Sequence, residues 1–370
     1  MHGMKIIISG GGTGGHIFPA LAIAEALKKK LGDVDILFVG AKGRMEMKKV
    51  PLAGYPIIGL WISGFQRKWS LKNLLFPIKL VVSLMKAGWI IKRFKPDMVV
   101  GVGGYASGPI LEMAYRLNIP AIIQEQNSFP GITNRLLAKK VRHICVAYEQ
   151  MQRFFPADKI TLTGNPIRKA ITQVKKVSKE EAYRHFGLDP SCKTIGIFGG
   201  SLGARTLNEA VESAAELIGR QEGHVQVLWQ MGEMYEKQYQ TGKAASNSNV
   251  KAMAFVQKMD WAYAISDLVI CRAGALTIAE VSVVGLPVIL VPSPNVSEDH
   301  QRKNALSLVD RDAAVMIEDD RAVKELIPAA IALLNEEKQL AQMSRNIAFF
   351  GKTTASDTIA DIIVENMNVR

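Results

Sequence analysis

One pattern occurs twice along the chain: a short run of consecutive apolar residues, a cluster of glycines, then a segment with apolar residues at helical spacing. Lys5–Ser9, with Ile6, Ile7 and Ile8 in a row, predicts a strand. A glycine loop follows, then Ile23, Leu27 and Leu31 on one helical face. Asp35–Val39, Met98–Val102, Ala121–Gln124, Ile144–Ala147 and Ile160–Thr163 predict further strands. Residues 169–193 are charged and read as a linker with a small helix. The pattern restarts at Thr194–Phe198, with a second glycine loop and a helix over Leu207–Gly219. Val225–Gln230, Val250–Ala254, Leu268–Cys271 and Pro287–Val291 read as strands, and the tail Arg321–Met367 as helical. This alternation predicts an α/β architecture: two Rossmann-like, doubly wound parallel-sheet domains, 1–168 and 169–345, facing a cleft. Residues 346–370 are expected to form a C-terminal helix packing back toward the first domain.

The 370 residues are 48% hydrophobic and 22% charged, a globular composition and not a disordered one. No apolar run reaches the roughly 18 uncharged residues of a spanning helix. The run Ile6–Ile8 is too short for the core of a signal peptide. The three cysteines, Cys145, Cys192 and Cys271, lie far apart, which suits a reducing compartment and argues against a thiolate metal site. A cytoplasmic protein is expected. The net charge of +12 is unevenly placed: 24 Lys/Arg against 9 Asp/Glu in 1–168, and 22 against 25 in the remainder. The first domain therefore suits an anionic partner: nucleic acid, a membrane surface or a phosphorylated substrate.

The first glycine loop, Gly10-Gly11-Gly12-Thr13-Gly14-Gly15-His16, lies between strand and helix. There the backbone can approach an anion, and the helix start offers N–H groups and partial positive charge. A dinucleotide site would want an acid at the end of the second strand, which instead reads Phe38-Val39-Gly40-Ala41. No Gly-Lys-Ser/Thr follows, so a Walker A loop is excluded too. Gly199-Gly200-Ser201-Leu202-Gly203-Ala204-Arg205 has the same placement, with Ser201 either capping a helix or donating to a phosphate. Gly101-Val102-Gly103-Gly104-Tyr105-Ala106-Ser107-Gly108-Pro109 is a third small-residue stretch after a strand.

With these loops come Glu125-Gln126-Asn127, Pro130-Gly131-Ile132-Thr133-Asn134-Arg135, Gly164-Asn165-Pro166-Ile167-Arg168, Arg272-Ala273-Gly274-Ala275-Leu276-Thr277-Ile278-Ala279-Glu280 and Asp299-His300-Gln301-Arg302-Lys303-Asn304-Ala305. In that order and spacing, from residue 10 to 305, the chain resembles the bacterial lipid II synthases, the peptidoglycan N-acetylglucosaminyltransferases. The resemblance implies a GT-B glycosyltransferase. It would move N-acetylglucosamine from UDP-GlcNAc to the C4 hydroxyl of the muramoyl sugar of lipid I (undecaprenyl-pyrophosphoryl-MurNAc-pentapeptide). The transfer would invert the anomeric carbon, give lipid II and UDP, and need no metal or other cofactor.

The resemblance also implies donor contacts from Thr13, Gly14, Gly15, Asn127, Arg168, Ser201, Val256, Ala275, Leu276, Thr277, Ile278, Ala279, Glu280 and Gln301. Among them, the Val256 backbone should meet uracil, Glu280 the ribose hydroxyls, and Gln301 and Asn127 the sugar. Acceptor contacts are expected from Gly12, Gly103, Gly104, Ser107 and Asn134. A peripheral enzyme on the cytoplasmic face of the inner membrane is implied, with partners among cell-wall synthesis or division proteins. At Gln124 the chain departs from the family, many of whose members carry His there. A GT-B-fold UDP-sugar epimerase is the alternative enzyme, and a non-catalytic membrane scaffold a third reading.

Residue chemistry bears on the same points. Inverting transfer needs a base for the acceptor proton. His16, at the carboxyl edge of the first strand, suits it because imidazole titrates near neutrality. Glu125 is the rival base, and Tyr105 can hold the acceptor. Departure of a diphosphate needs positive charge, which helix starts, loop amides and Arg168 supply. Asp33-Val34-Asp35 is spelled like a metal-binding motif but precedes a strand, and reads as solvated surface. Glu280 follows Thr277 by three, which also fits a capping box.

Between Glu46 and Asp97 there are ten basic residues and no acidic one. Lys72, Lys79, Lys86 and Arg93 recur every seven residues, one face of a helix. Around them Leu74, Leu75, Phe76, Ile78, Leu80, Val81, Val82, Leu84, Met85, Trp89, Ile90 and Ile91 form an apolar arc too wide for one core contact. Pro77 should start or kink the helix. A lysine-striped, partly exposed apolar helix suits an anionic lipid surface, and the alternative is a buried helix with a solvated stripe. Aromatic residues spaced for base stacking are missing, which argues against nucleic acid.

Overall fold

The computed structural model describes residues 3–64, 75–200 and 202–368. The chain divides into two compact units, Met1–Arg168 with Thr353–Arg370, and Lys169–Lys352. In the first unit β1 (Met4–Ser9), β2 (Val34–Ala41), β3 (Ile57–Leu60), β4 (Met98–Gly101), β5 (Ala121–Glu125), β6 (His143–Val146) and β7 (Ile160–Leu162) form a parallel sheet in the order β3-β2-β1-β4-β5-β6-β7. Ile7 packs into one core with Ala87, Ile90 and Ile110, while Ile6 and Ile8 enter the opposite core with Ile23, Leu27 and Ile359. Helices cover both faces, so the strand reads as an unbroken apolar run. The strand order reverses between β1 and β4. At such a switch point the loops leaving the carboxyl ends diverge and make room for a ligand.

The helix Ala355–Asn368 packs along Gly14–Leu31 within this unit. Lys29 and Asp357 pair at 3.8 Å, and Arg142 Nη1 donates to the Asn366 carbonyl at 2.9 Å. The preceding helix Glu337–Ala348 stays with the second unit, where Met343 enters the core and Ser344 Oγ donates to the Gly285 carbonyl. The join therefore falls after Lys352, seven residues later than the apolar pattern alone places it.

The second unit holds β8 (Lys193–Phe198), β9 (Val225–Gln230), β10 (Val250–Met253), β11 (Leu268–Cys271), β12 (Val288–Leu290) and β13 (Val315–Met316), parallel in the order β10-β9-β8-β11-β12-β13. Its switch point lies between β8 and β11. Residues 169–193 are not a linker. Ile171, Val174, Ala182 and Phe186 are buried, and the helices Lys169–Thr172 and Lys179–Phe186 pack on Ala275–Val284 and Met259–Ala264. Ser178 caps the longer one by accepting from the Glu181 N–H at 3.3 Å, so the charges there are the solvent side of a packed helix. The helix expected over Leu207–Gly219 is two, Arg205–Ser213 and Ala215–Gly219.

Candidate active site

The first glycine loop runs from the end of β1 into the helix Gly14–Leu31. Thr13 is the N-cap without a side-chain capping bond, and no acid stands in the first turn. The helix thus opens on the backbone N–H groups of Gly14 and Gly15 and the positive end of its dipole, as an anion site requires. The loop after β4 packs on it backbone to backbone. A Cβ at Gly104 (φ +86°) would stand 2.4 Å from the Gly11 carbonyl oxygen, and one at Gly103 (φ +96°) 2.8 Å from His16 Nε2. Close approach and left-handed backbone together demand glycine at both. His16 Nδ1 lies 3.0 Å from the Gly11 carbonyl oxygen and 3.3 Å from Thr13 Oγ1. A carbonyl only accepts, so Nδ1 donates, and the neutral ring carries its lone pair on Nε2.

One expected acceptor contact is corrected by burial. Ser107 is fully buried, with its hydroxyl 3.0 Å from the Ser9 carbonyl and 2.8 Å from that of Gly103, so it fastens the loop and does not reach a ligand. Gly12 stays exposed, with its N–H donating to Glu46 Oε2 at 3.0 Å. Tyr105 stays half-exposed with its ring against Gly64.

Glu125 ends β5 and is 2% exposed. Its Oε1 accepts from Asn127 N at 3.0 Å and Nδ2 at 3.2 Å, and its Oε2 from Gly131 N at 3.1 Å and Asn134 Nδ2 at 2.8 Å. Burial pushes the carboxyl up, and these four donors pull it the other way. A carboxylate offers about four lone-pair sites, and all are engaged. Glu125 is therefore no base for an incoming hydroxyl. It is the clamp that shapes 125–134. Asn134, equally buried, serves that clamp and is not an acceptor contact, while Asn127 remains partly exposed beside it. Gln124 is fully buried and donates to Asn165 Oδ1 at 3.1 Å, Asn165 Nδ2 donates to the Gln126 carbonyl at 2.9 Å, and Gln126 Nε2 to the Val102 carbonyl at 2.8 Å. This amide network ties β5 to the loop after β4, which is structural work that needs no imidazole at position 124. Arg168, partly exposed, closes the unit just after the Gly164 turn at φ +82°.

In the second unit the loop after β8 presses on the loop after β9: a Cβ at Gly203 would meet the Met231 carbonyl oxygen at 2.2 Å, and one at Gly232 the Gly203 Cα at 2.3 Å. Ala204 is the N-cap of the following helix. Ser201, expected to cap or to donate, lies outside the described residues. Gln230, a residue the motifs did not single out, is buried at the end of β9. Its Nε2 donates to the Gly200 carbonyl at 2.8 Å and its Oε1 accepts from the Val256 N–H at 2.9 Å. The Val256 N–H is thus engaged within its own unit.

The helix Ala275–Val284 starts after β11 with Gly274 as N-cap and no acid in its first turn. Its opening N–H groups are those of Ala275, Leu276 and Thr277. Ile278, expected among the donor contacts, is buried and its N–H donates back to the Gly274 carbonyl at 2.9 Å; Ala279 is one residue further in. Because Gly274 is the cap, Thr277 and Glu280 do not form a capping box. Glu280 is buried, with the Tyr263 hydroxyl donating to its Oε2 at 3.2 Å. Burial, with the Glu280 charge adding, pushes the nearby Cys271 thiol up to about 12. Gln301 Oε1 accepts from the Ser293 N–H at 2.9 Å, so this side chain ties down the segment after β12. Arg272 Nη1 donates to the Val291 and Pro292 carbonyls at 3.2 and 3.3 Å and pairs with Asp319, whose other oxygen accepts from Thr206 Oγ1 at 3.0 Å.

The helix Phe76–Phe94 has Pro77 in its first turn, where the missing N–H costs no hydrogen bond. Part of its apolar arc is exposed, as expected, but the lysine stripe does not face outward. Lys79 Nζ donates to Ser63 Oγ at 3.0 Å and Lys86 Nζ to the Gly59 carbonyl at 2.8 Å. Burial, with Lys42 nearby, pulls the Lys86 ammonium below the usual lysine range. These lysines face their own chain. Ile78, Val81, Val82, Met85 and Trp89 face solvent, Met85 at 72% exposure, with Leu75 just before the helix. Lys72 lies outside the described residues. Arg93 stands 5.2 Å over the Trp89 ring. Among the described residues no helix is long and apolar enough to cross a membrane.

Two parallel-sheet units, each with a glycine loop and a ligand-ready helix start at its switch point, define the GT-B class of glycosyltransferases. Residues 6–146 match the glycosyltransferase family 28 N-terminal domain and 194–360 the glycosyltransferase family 28 C-terminal domain. The chain is 51% identical over 364 residues, 98% of its length and 97% of the relative's, to the UDP-N-acetylglucosamine–N-acetylmuramyl-(pentapeptide) pyrophosphoryl-undecaprenol N-acetylglucosamine transferase of Cytophaga hutchinsonii. The chain belongs to this family of N-acetylglucosamine transferases. A crystal structure of Acinetobacter baumannii MurG, 28% identical, superposes with a TM-score of 0.76 over 98% of this chain and 99% of its own. A UDP-GlcNAc 2-epimerase from Neisseria meningitidis, solved bound to UDP-GlcNAc, gives a TM-score of 0.67 over 98% of this chain and 100% of its own, but at 16% identity it shows the fold alone.

Proposed function

We propose that the chain transfers N-acetylglucosamine from UDP-GlcNAc to the C4 hydroxyl of the muramoyl sugar of lipid I, with inversion and without a metal, forming lipid II and UDP. The observation that carries this reading is the pair of helix starts at Gly14 and Ala275, each opening without an acid at its sheet's switch point. Two anion-ready openings match two substrates that each carry a diphosphate. The donor belongs to the second unit: uracil at the Val256 carbonyl, the ribose hydroxyls on Glu280, and the diphosphate at the N–H groups of Ala275, Leu276 and Thr277. Those N–H groups and the helix dipole stabilise the charge that builds on UDP as it leaves. His16 Nε2 takes the proton of the C4 hydroxyl. The freed oxygen attacks the anomeric carbon opposite the bond to phosphate, and that bond breaks with its electron pair on UDP. Asp33-Val34-Asp35 lies at the amino-terminal edge of β2, the far end of the sheet from the loops, and takes no part.

The test is transfer of radiolabelled N-acetylglucosamine from UDP-GlcNAc to a short-chain lipid I analogue in EDTA. Labelled disaccharide-lipid at an undiminished rate is expected. Release of UDP or epimerised sugar without acceptor would instead support the epimerase that shares this fold. That alternative has no use for the exposed apolar face of Phe76–Phe94. We assign this face to the cytoplasmic surface of the membrane, where its five exposed apolar side chains and Leu75 enter the headgroup boundary and Arg93 meets anionic lipid. Met85→Glu combined with Trp89→Glu is expected to weaken binding to phosphatidylglycerol vesicles by about tenfold or more, since each change puts a carboxylate where an apolar group entered lipid. Co-sedimentation measures it, and undiminished binding would move the membrane contact elsewhere.

A further inference from the structure

We infer that Glu46 is a positioning residue for the transfer, acting on His16 through a single peptide group. The inference rests on the reading of His16 as the base. Glu46 begins the helix Glu46–Leu52, far from the glycine loop in sequence, yet its carboxylate is 1% exposed and lies directly under that loop. Oε2 accepts from the Gly12 N–H at 3.0 Å and Oε1 from the Ala41 N–H at 2.9 Å. A Cβ at Gly11 would stand 2.2 Å from Oε1 and one at Gly40 2.5 Å from Cγ, so two glycines leave the space this side chain fills.

The Gly12 N–H and the Gly11 carbonyl belong to the same peptide plane. In a trans peptide they point in opposite directions. Glu46 therefore holds one end of that plane while the other accepts the Nδ1–H of His16 at 3.0 Å. The plane lies between two glycines, at φ +150° and +89°, so no side chain of its own braces it against rotation. Rotation would turn the carbonyl away from the ring and release the tautomer that puts the lone pair on Nε2. A carboxylate suits this task because both its oxygens accept and neither donates. An amide in its place can accept one N–H and must present its own hydrogens to the other. The negative charge also polarises the peptide toward the ring, favouring the imidazolium that forms as the hydroxyl loses its proton.

The experiment compares Glu46→Gln, His16→Gln and the double variant, with kcat and KM for UDP-GlcNAc and for a short-chain lipid I analogue, and records the ¹⁵N signals of the His16 ring. Glu46→Gln is expected to lower kcat by about tenfold or more, to leave the UDP-GlcNAc KM within about twofold, and to shift the ring signals away from the Nδ1–H tautomer. The double variant should be no slower than His16→Gln, because both changes break one chain of contacts. Unchanged kcat and tautomer in Glu46→Gln, or losses that multiply in the double variant, would overturn the inference. Full activity in His16→Gln would overturn the base assignment itself, which is a separate result. If Glu46→Gln melts below the assay temperature, Glu46→Asp, too short to reach both N–H groups, gives the same comparison.

Discussion

His16→Gln is expected to lower kcat for sugar transfer by about 10²- to 10⁴-fold, the range that loss of a positioned base produces. KM for UDP-GlcNAc should stay within about threefold, because the uridine and diphosphate contacts proposed above lie in the second unit. Glutamine is the informative replacement. Its amide is polar and close to the ring in size, so the loop receives neither an apolar nor an oversized group. What it lacks is a nitrogen lone pair able to take a proton. The ring is partly exposed, so the melting temperature should hardly move. Glu125→Gln is the contrast. There the new amide would turn hydrogens toward N–H donors of Asn127 or of Gly131 and Asn134, in a site 2% exposed. Activity would fall together with stability, as for a buried clamp. Single-turnover rates and thermal melts of the two variants separate the roles. A His16→Gln enzyme with wild-type kcat would return the proton transfer to another group.

How much of this was legible beforehand depends on what each residue's neighbours in sequence reveal. The strands lining both switch points are short, mainly apolar runs with glycines close after them, so their positions and the parallel α/β class follow from the chain directly. β3 and β13 did not register, because edge strands of four and two residues leave too short a pattern. The linker reading of 169–193 failed because its buried residues, Ile171, Val174, Ala182 and Phe186, are sparse among charges that point outward. Heptad spacing correctly grouped Lys79 with Lys86 on one face of their helix, but spacing does not say which face meets the protein. Hydrogen bonds to Ser63 and Gly59, from segments closed only by tertiary folding, decided that.

The same limit separates the glycine loops from their supports. Glycine clusters announce close backbone approach, and the structure finds it at Gly103, Gly104, Gly203 and Gly232. Glu46 and Gln230 carry no local signal, since each acts on a loop about thirty residues away in sequence. A hint lay in Gly11 and Gly40, whose missing side chains make way for Glu46, but only folding shows what occupies the space. Ser107 and Asn134 show the converse: residue types suited to ligand contact that burial turns into internal ties.

Glu280→Gln should raise the dissociation constant for UDP-GlcNAc about tenfold to a hundredfold, the worth of hydrogen bonds to a charged acceptor. The carboxylate is buried where the helix Ala275–Val284 has completed its first turn, and the Tyr263 hydroxyl on Oε2 fixes its rotamer. A diol is well met by one rigid carboxylate, because each hydroxyl donates and the carboxylate only accepts. The amide offers one acceptor and sets two hydrogens against Tyr263 or the second hydroxyl. Weaker binding alone would not distinguish lost ribose contact from a disturbed helix. A 2′-deoxyribose analogue of the donor does. Wild type should lose affinity for it by about as much as Glu280→Gln loses for the full donor, and the variant should scarcely distinguish the two ligands, since protein and ligand changes remove the same bond. Calorimetric titration of both proteins with both ligands closes this cycle. A variant that discriminates against the deoxy donor as strongly as wild type would place the ribose away from Glu280.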